Sequence, residues 1–312
     1  MNFNYKKEIS KIEDVINEIE HKLHPGHGGY MKYYIHTHYH HSKYIFNQIP
    51  NLSENDTLLE IGTYLGLPLI LAKKKFGCKV LGTDISSEIE KNKDFHSFYD
   101  LNVIDVEFKN RDYPSLPFKN SSINCVIFSE VMEHLRVPPA QILAEIKRII
   151  TPNGFLIFSI PNIASSARIS QLIVGQNIQP MFKNKIKESG HITDVFGHVR
   201  EYTKNEAQFL MNQQNMIIEK LKLINNNGGV MSTIKRVLKK TFNVKNYSVY
   251  INPYDDVKNS NYIDRSKNKD GEILYVKKKF PLWGKILSLI LSLLPKYGES
   301  IIIVAKKPNA EI

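Results

Sequence analysis

Short apolar runs alternate with helical patterns through the middle of the 312-residue chain, and this alternation constrains the fold more than any other feature. Each run is rich in β-branched or aliphatic residues and ends in Gly, Asp, Ser or Pro, as strands do. The five runs are Thr57 to Ile61, Lys79 to Asp84, Val103 to Phe108, Ile123 to Ser129 and Phe155 to Ile160. Helical patterns at Leu67 to Phe76 and Ala140 to Ile150 separate several of them. This order predicts a doubly wound, mostly parallel α/β sheet.

Further elements extend this core toward both ends of the chain. Apolar residues recur at three- and four-residue spacings between residues 4 and 23, which predicts an amphipathic helix. A helix over Lys204 to Gln214 and strands over Met216 to Ile224 and Ser300 to Ala305 complete a predicted seven-stranded sheet. We predict four segments: an N-terminal helical, His-rich cap (1–50), the core (51–224), a basic insertion (225–298), and the last strand with a tail (299–312).

The charge balance indicates an anionic partner without identifying it. The chain has 42 Lys and Arg against 31 Asp and Glu, a formal net charge of +11, which suits nucleic acid, a phosphorylated substrate or a membrane surface. Between Asn225 and Lys285, 13 basic residues face 5 acidic ones, so this segment accounts for +8 of the total. The two cysteines, Cys78 and Cys125, predict free thiols and a reducing, cytoplasmic compartment.

Residues 277–294 join four lysines to an apolar stretch that contains Trp283. The stretch from Phe280 to Leu294 is interrupted by Lys285 and is shorter than the ~20 residues that a membrane span requires. The N-terminus carries charges throughout and lacks the apolar segment of a signal peptide. We expect a cytoplasmic protein. The segment is either a helix at the inner face of an anionic membrane or an ordinary buried helix that covers the sheet.

A glycine-containing turn, within the segment LLEIGTYLG, joins the first predicted strand to a helix that has Pro68 in its first turn. Glycine lets a backbone approach a ligand closely, and the following helix N-terminus offers free N–H groups to an anion. A dinucleotide-binding fold would carry G-x-G-x-x-G. Here the glycines fall at positions 62 and 66, and Leu67 stands where the third glycine belongs. This spacing disfavours NAD binding.

Polar residues also follow the other strands of the predicted sheet. Asp84 ends the second strand, where an acid suits a ribose diol, and Asp112 follows the third, where it could accept from an exocyclic amine. The fourth strand is followed by Ser129, Glu130, Glu133 and His134. Because the carboxyl ends of parallel strands meet at one edge, we expect these side chains to share a crevice.

In their order and spacing these segments resemble the class I S-adenosylmethionine-dependent methyltransferases, specifically the small-molecule and glycan type. The family signature E/D-x-G-x-G-x-G is matched by Glu60, Gly62 and Gly66, with Tyr64 at the middle glycine. The resemblance spans about residues 55 to 224 plus the last strand, and it implies a Rossmann-like fold with S-adenosylmethionine as cofactor. The residues that it places at the cofactor are Glu60, Gly62, Thr63, Gly66, Asp84, Ile85, Asp112, Ser129 and Glu130.

The resemblance further implies O-methylation of a sugar or glycan precursor, for example in polysaccharide biosynthesis. A lipid or quinone-type acceptor, an RNA acceptor and a non-catalytic cofactor-binding scaffold are the alternatives, with nucleic acid disfavoured because no RNA-binding module is visible. A sulfonium methyl group is already activated, so the main task is alignment. An acceptor hydroxyl is helped by a general base, for which the candidates are Glu133, His134, His191 and His198. Glu133 and His134 could instead be helix-start residues that orient the cofactor.

Seven of the eleven histidines lie between His21 and His41. His36, His38 and His40 alternate as they would along one face of a strand, whereas His36 and His40 also share one helix face. No cysteine joins them and no H-E-x-x-H motif is present, so we predict an acceptor-site cap or a solvated face, and no metal site. Tyr33 and Tyr34 could close over the cofactor there.

Overall fold

The computed structural model describes residues 3–23, 27–108, 114–173, 178, 198–225 and 298–309. The α-helices in these ranges are α1 (Tyr5–Glu18), α2 (His27–Phe46), α3 (Leu67–Phe76), α4 (Ser86–Phe98), α5 (Pro139–Ile149), α6 (Ser166–Ile173) and α7 (Lys204–Gln213). The strands are β1 (Thr57–Ile61), β2 (Lys79–Asp84), β3 (Val103–Asp105), β4 (Ile123–Ser129), β5 (Ile150–Pro161), β6 (Ile217–Ile224) and β7 (Ser300–Lys306). The predicted cofactor residue Asp112, the base candidate His191 and the segment 277–294 lie outside the described residues.

The seven strands form one sheet in the order β3-β2-β1-β4-β5-β7-β6. The first five strands pair in parallel, whereas β7 runs antiparallel to both β5 and β6. The prediction of a doubly wound, mostly parallel seven-stranded sheet is therefore confirmed. Strand β1 lies between β2 and β4, so the strand order reverses there and a crevice opens beyond the carboxyl ends.

Two apolar cores hold the sheet between layers of helices. Leu58 and Leu59 point to opposite faces of β1, and each is completely buried in a different core. Helices α1, α2 and α3 contribute to the first core, while α5 and α7 contribute to the second. Strands covered on both faces have continuous apolar sequences, which is why these runs could be recognised. None of the helices in the described ranges has the length and apolar composition needed to cross a bilayer.

Two predicted strand boundaries were wrong by more than one residue, each because of how the strand pairs. Strand β3 ends at Asp105 instead of Phe108, since its pairing with β2 extends no further than Asp84. Strand β5 begins at Ile150 instead of Phe155, because Ile150 already pairs with β4 before the register shifts.

Helix α4 was not predicted at all. Its buried residues are Asn92, Phe95 and His96. Two of these three are polar, so an apolar helical period is not visible in the sequence.

The His- and Tyr-rich passage folds as helix α2, so the helical alternative was right and the strand alternative was wrong. Its buried apolar residues include Met31, Ile35 and Ile45, which lie at helical spacings. Near its C-terminal end, His41 Nε2 lies 3.1 Å from the Ser159 hydroxyl of β5. Helix α2 therefore lies against the carboxyl edge of the sheet, where the crevice opens.

Candidate active site

A tight turn with left-handed backbone follows β1 at the centre of the crevice. Gly62, Tyr64 and Gly66 have φ values of 75°, 45° and 67°. The Gly62 N–H donates to the Thr83 carbonyl at 2.8 Å, which anchors the turn to β2. A Cβ atom at position 62 would lie only 2.3 Å from Cγ2 of Val131. Glycine is therefore required at this position both for its backbone angle and for the close approach of Val131.

Tyr64 occupies the turn position at which the family signature has its middle glycine. Its ring lies edge-on to that of Tyr34, with centroids 4.6 Å apart, and 6.3 Å from the ring of Tyr30. Its backbone carbonyl accepts a hydrogen bond from His96 Nε2 at 2.6 Å. The side chain of Tyr64 thus packs the turn against helix α2.

Asp84 ends β2 and holds the turn from behind. Its carboxylate accepts from the backbone N–H groups of Tyr64 at 2.7 Å and of Ile85 at 2.8 Å. Burial raises the pKa of Asp84 above its ordinary value of 3.8, while these two hydrogen bonds act in the opposite direction. Each carboxylate oxygen has two lone pairs, so Asp84 can also accept hydrogen bonds from ligand hydroxyls.

Glu60, the acid that begins the signature, lies near the end of β1 and is buried. Burial, followed by the neighbouring Asp84 charge, raises the pKa of Glu60 well above its ordinary value of 4.5. No group in the described part of the chain forms a hydrogen bond with its Oε2 atom. Because an unsatisfied buried oxygen is costly, a ligand donor bound at this position would be stabilised.

A cavity of about 280 Å³ opens between this turn, the end of β4 and helix α2. Nine of the predicted site residues line it: Glu60, Gly62, Thr63, Gly66, Ser129, Glu130, Glu133, His134 and His198. The other described lining residues are Tyr34, His38, His41, Ser42, Ile45, Leu65, Leu67 and Pro68. Asp84 and Ile85 do not line this cavity, but Asp84 accepts a hydrogen bond from the turn that does, and Ile85 donates its backbone N–H to Asp84.

Helix α2 supplies a cavity wall that the sequence indicated only in outline. Tyr34, which was predicted to close over the cofactor, is one of its residues. Burial raises the pKa of the Tyr34 hydroxyl, as do the Glu60 and Glu130 charges. His38 stacks on Tyr34 with ring centroids 4.2 Å apart, and burial lowers its pKa. The positions of Tyr34, His38, His41 and Ile45 recur every three or four residues, so one helix face carries them all. That periodicity could have identified this wall.

His41 connects α2 to the ends of β4 and β5. Its Nε2 atom lies 3.5 Å from Glu130 Oε1, and the Ser159 hydroxyl donates to the same oxygen at 3.0 Å. The Ser129 and Ser159 hydroxyls are 2.8 Å apart and complete this network. Burial acts to raise the pKa of Glu130, but the hydrogen bonds from His41 and Ser159 outweigh it and leave the pKa below 4.5.

A second polar cluster, the Glu133/His134/His198 cluster, brings together the three residues predicted for catalysis. The Nε2 atoms of His134 and His198 lie 3.8 Å and 4.0 Å from Glu133 Oε1. The Glu133 carbonyl accepts from the backbone N–H groups of Val199 at 2.6 Å and Arg200 at 3.3 Å. These two hydrogen bonds fix the segment that carries His198 against the 3₁₀ turn Met132–His134.

Glu201, which the sequence analysis did not assign to the site, orients His198. Its Oε1 atom lies 2.7 Å from His198 Nδ1 and accepts from Arg168 Nη2 at 2.6 Å. Because an ionised carboxylate only accepts hydrogen bonds, Nδ1 carries the proton and Nε2 of the neutral ring keeps its lone pair toward Glu133. Burial, then the charges of Glu130 and Glu201, raises the pKa of Glu133 to about 9. Shifts of this size are typical of functional sites.

Comparisons with known proteins point in one direction. The family described as a methyltransferase domain matches residues 35–215. The complex between the Haloferax volcanii Trm112 methyltransferase activator and the methyltransferase named with it has a TM-score of 0.51 at 15% identity, covering 89% of this chain and 93% of that chain. Geranyl diphosphate methyltransferase in complex with GPP and sinefungin has a TM-score of 0.50 at 11% identity, covering 86% and 78%. No curated protein sequence matches the chain. At such low identity the two structures show the fold alone.

Proposed function

Because the chain belongs to the S-adenosylmethionine-dependent methyltransferases, whose domain covers residues 35–215, we propose that it methylates a hydroxyl of a sugar or glycan precursor. The cofactor is S-adenosylmethionine, and the acceptor is the part of this statement that goes beyond family membership. The chain's own residues at the two parts of the site support this acceptor.

The residues at the glycine turn fit the cofactor. Asp84 has lone pairs available for a ribose diol, and the Oε2 atom of Glu60 has no hydrogen-bond partner among the described residues, so it suits the cofactor's ammonium group. Gly62 lines the same cavity, and the absence of a Cβ atom there lets Val131 pack against the turn. We assign these three residues to cofactor binding. Glu60 and Gly62 share the cavity with Thr63, Gly66, Ser129 and Glu130, and Asp84 contacts the turn beside it.

Bound S-adenosylmethionine supplies a methyl group on a positively charged sulfur, which is already activated toward a nucleophile. The protein must therefore align an acceptor oxygen and remove its proton. The Glu133/His134/His198 cluster lies in the same cavity as the glycine turn, so it can contact an acceptor placed beside the cofactor. His198 is the best oriented proton acceptor, because its bond to Glu201 leaves Nε2 with a free lone pair.

The polar lining of the cavity is the observation that supports a hydroxylated acceptor. Among its described lining residues, imidazoles, carboxylates and hydroxyls outnumber aliphatic side chains. Such groups form hydrogen bonds with a sugar, whereas a lipid or quinone tail in the same place would leave buried polar groups unsatisfied. A sugar is therefore favoured over a lipid or quinone acceptor, whereas RNA is disfavoured because no RNA-binding module is visible in the sequence.

Transfer of a tritiated methyl group from S-adenosylmethionine tests this proposal. Wild-type protein is incubated with a lysate of the source cells, and sugar, lipid and RNA fractions are counted separately. We expect label in the sugar fraction, a loss of about 10²- to 10⁴-fold with His198→Ala, and wild-type incorporation with the exposed-helix control His40→Ala. Label confined to the lipid or the RNA fraction would show that the acceptor is a lipid or an RNA and not a sugar. No label in any fraction would favour the non-catalytic scaffold.

The membrane contact predicted for residues 277–294 is a separate proposal. The four lysines and Trp283 support it, because cationic and aromatic side chains bind anionic bilayer surfaces. Flotation with anionic and neutral liposomes tests it: salt-sensitive binding to anionic vesicles is expected, and its absence removes the membrane contact.

A further inference from the structure

The Glu133/His134/His198 cluster has the composition of a metal site as well as that of an acid–base site. One carboxylate oxygen and two imidazole nitrogens lie within 4.8 Å of one another. Ligand bonds of about 2.0–2.2 Å would place such atoms roughly 3.0–3.5 Å apart around a cation. The observed separations of 3.8 Å and 4.0 Å therefore close with small side-chain movements.

Glu133 provides an independent indication that a ligand is needed here. Its side chain is 1% exposed, and no group in the described ranges forms a hydrogen bond with its Oε2 atom. The carboxylate of Glu201 lies next to the same cluster, because its Oε1 atom is 2.7 Å from His198 Nδ1. A buried carboxylate among like charges is stabilised by a cation that binds to it directly.

The surroundings of His198 are those of a metal-ligating histidine. In metal sites such a ring donates its second N–H to a carboxylate, which fixes the ring and directs the other nitrogen to the metal. Here Nδ1 bonds Glu201 at 2.7 Å, Arg168 holds Glu201 in turn, and Nε2 faces Glu133. This arrangement provides a supported ligand before any cation binds.

We infer that Glu133, His134 and His198 bind one divalent transition-metal cation, with Glu201 as the positioning residue behind His198. Two imidazoles and a carboxylate suit Zn²⁺, Mn²⁺ or Fe²⁺ better than Mg²⁺ or Ca²⁺. Three protein ligands leave at least one coordination position open to water or to an acceptor oxygen. The sequence predicts no metal site, and the only histidines weighed for one were His36, His38 and His40.

The role of the cation in methyl transfer depends on the proposed function, whereas the binding of the cation does not. An acceptor hydroxyl that coordinates the cation loses its proton to water, so His198 serves as a ligand and need not take the proton itself. The resulting alkoxide oxygen forms the new bond to the methyl carbon, the carbon–sulfur bond breaks, and its electron pair stays on the departing sulfur.

Metal binding is tested without cofactor or acceptor, so that its outcome is independent of methyl transfer. Chelator-treated full-length protein is titrated with Co²⁺, followed by its visible absorption, and with Zn²⁺ by calorimetry. We expect one equivalent to bind to the wild type and an affinity at least about tenfold weaker in His134→Ala and in Glu201→Gln. His134 is the safer ligand to replace, since its side chain is 41% exposed and folding does not depend on its burial.

The matched control is the double variant His36→Ala/His40→Ala, which removes two histidines of α2 outside the cluster. It should bind Co²⁺ like the wild type, and Zn²⁺ should raise the thermal unfolding temperature of both proteins. Absence of saturable binding to the wild type overturns the inference. So does wild-type affinity in His134→Ala, or binding lost only in the double variant, which would locate the cation on α2.

Discussion

Replacement of Gly62 by alanine should damage both folding and cofactor binding, because two physical costs coincide there. A side chain at φ 75° occupies the left-handed region, which costs roughly 1–2 kcal/mol for a residue with a Cβ atom. The new Cβ would also lie 2.3 Å from Cγ2 of Val131. Displacing that side chain costs about 1–3 kcal/mol more by analogy with overpacked cores. We therefore expect Gly62→Ala to lower the free energy of unfolding by about 2–5 kcal/mol.

Gly77→Ala is the matched control for this prediction. Gly77 has a φ of 70°, but a Cβ atom there meets nothing within 4 Å. The variant therefore isolates the backbone cost of roughly 1–2 kcal/mol, and the gain from a stiffer unfolded chain cancels in the comparison. Adding Val131→Ala to Gly62→Ala removes the clashing atom, so the double variant should be more stable than the sum of the single effects.

Urea unfolding and calorimetric titration with S-adenosylmethionine measure the two effects. Gly62→Ala should bind the cofactor at least about tenfold more weakly, equivalent to about 1.4 kcal/mol, whereas Gly77→Ala should bind it like the wild type. If Gly62→Ala is no less stable than Gly77→Ala and keeps wild-type affinity, then Val131 does not restrict position 62 and Gly62 is not needed for cofactor binding.

Three further substitutions test how Glu60, Tyr64 and His41, in and beside the cavity, affect stability. Because the pKa of Glu60 is raised in the folded state, protonated Glu60 stabilises the fold fully at pH values below 4.5. This stabilisation is lost as the pH rises through the raised pKa. Glu60→Gln should therefore gain stability relative to the wild type as the pH rises above 4.5 in urea unfolding, and parallel curves would contradict this. Tyr64→Gly relieves the cost of a left-handed backbone but removes the packing of the ring on α2. Thermal unfolding should therefore show a net loss of stability of about 1–3 kcal/mol. A variant more stable than the wild type would show that the packing contributes less than the backbone costs. His41→Ala leaves Ser159 and Glu130 short of a buried partner and should cost about 1–3 kcal/mol in chemical unfolding, against less than about 0.5 kcal/mol for the exposed control His40→Ala. Equal losses would exclude the network as the cause.

The strands of the sheet were predictable because each buried strand carries its own continuous apolar run. The turn at residues 62–66 was equally predictable, because glycines at such spacing indicate positions where the backbone adopts angles that other residues rarely adopt. Helix α4 was not, because Asn92 and His96 are buried on it in place of apolar residues. A hydrogen bond between His27 Nε2 and Asn92 Oδ1, 3.1 Å long, explains why these polar groups can be buried, and such a partner is invisible in a local pattern.

The site residues, like the secondary-structure elements, were predictable where the local sequence pattern alone determines their position. Residues at strand ends, such as Glu60 and Glu133, could be assigned because strand order alone brings them to one edge. The contribution of α2 depended on whether a His- and Tyr-rich segment is a strand or a helix, which alternation at three histidines could not decide. Glu201 was missed for another reason: its role comes from contacts with His198 and Arg168, and the second of these lies far away in sequence.

A crystal structure of the protein with S-adenosylhomocysteine, the demethylated cofactor, tests the central claim most directly. It should place the ribose hydroxyls within hydrogen-bond distance of Asp84, the amino group at Glu60, and the sulfur in the cavity shared with Glu133, His134 and His198. A sulfur outside that cavity, or a ribose without contact to Asp84, would contradict the assignment of the site.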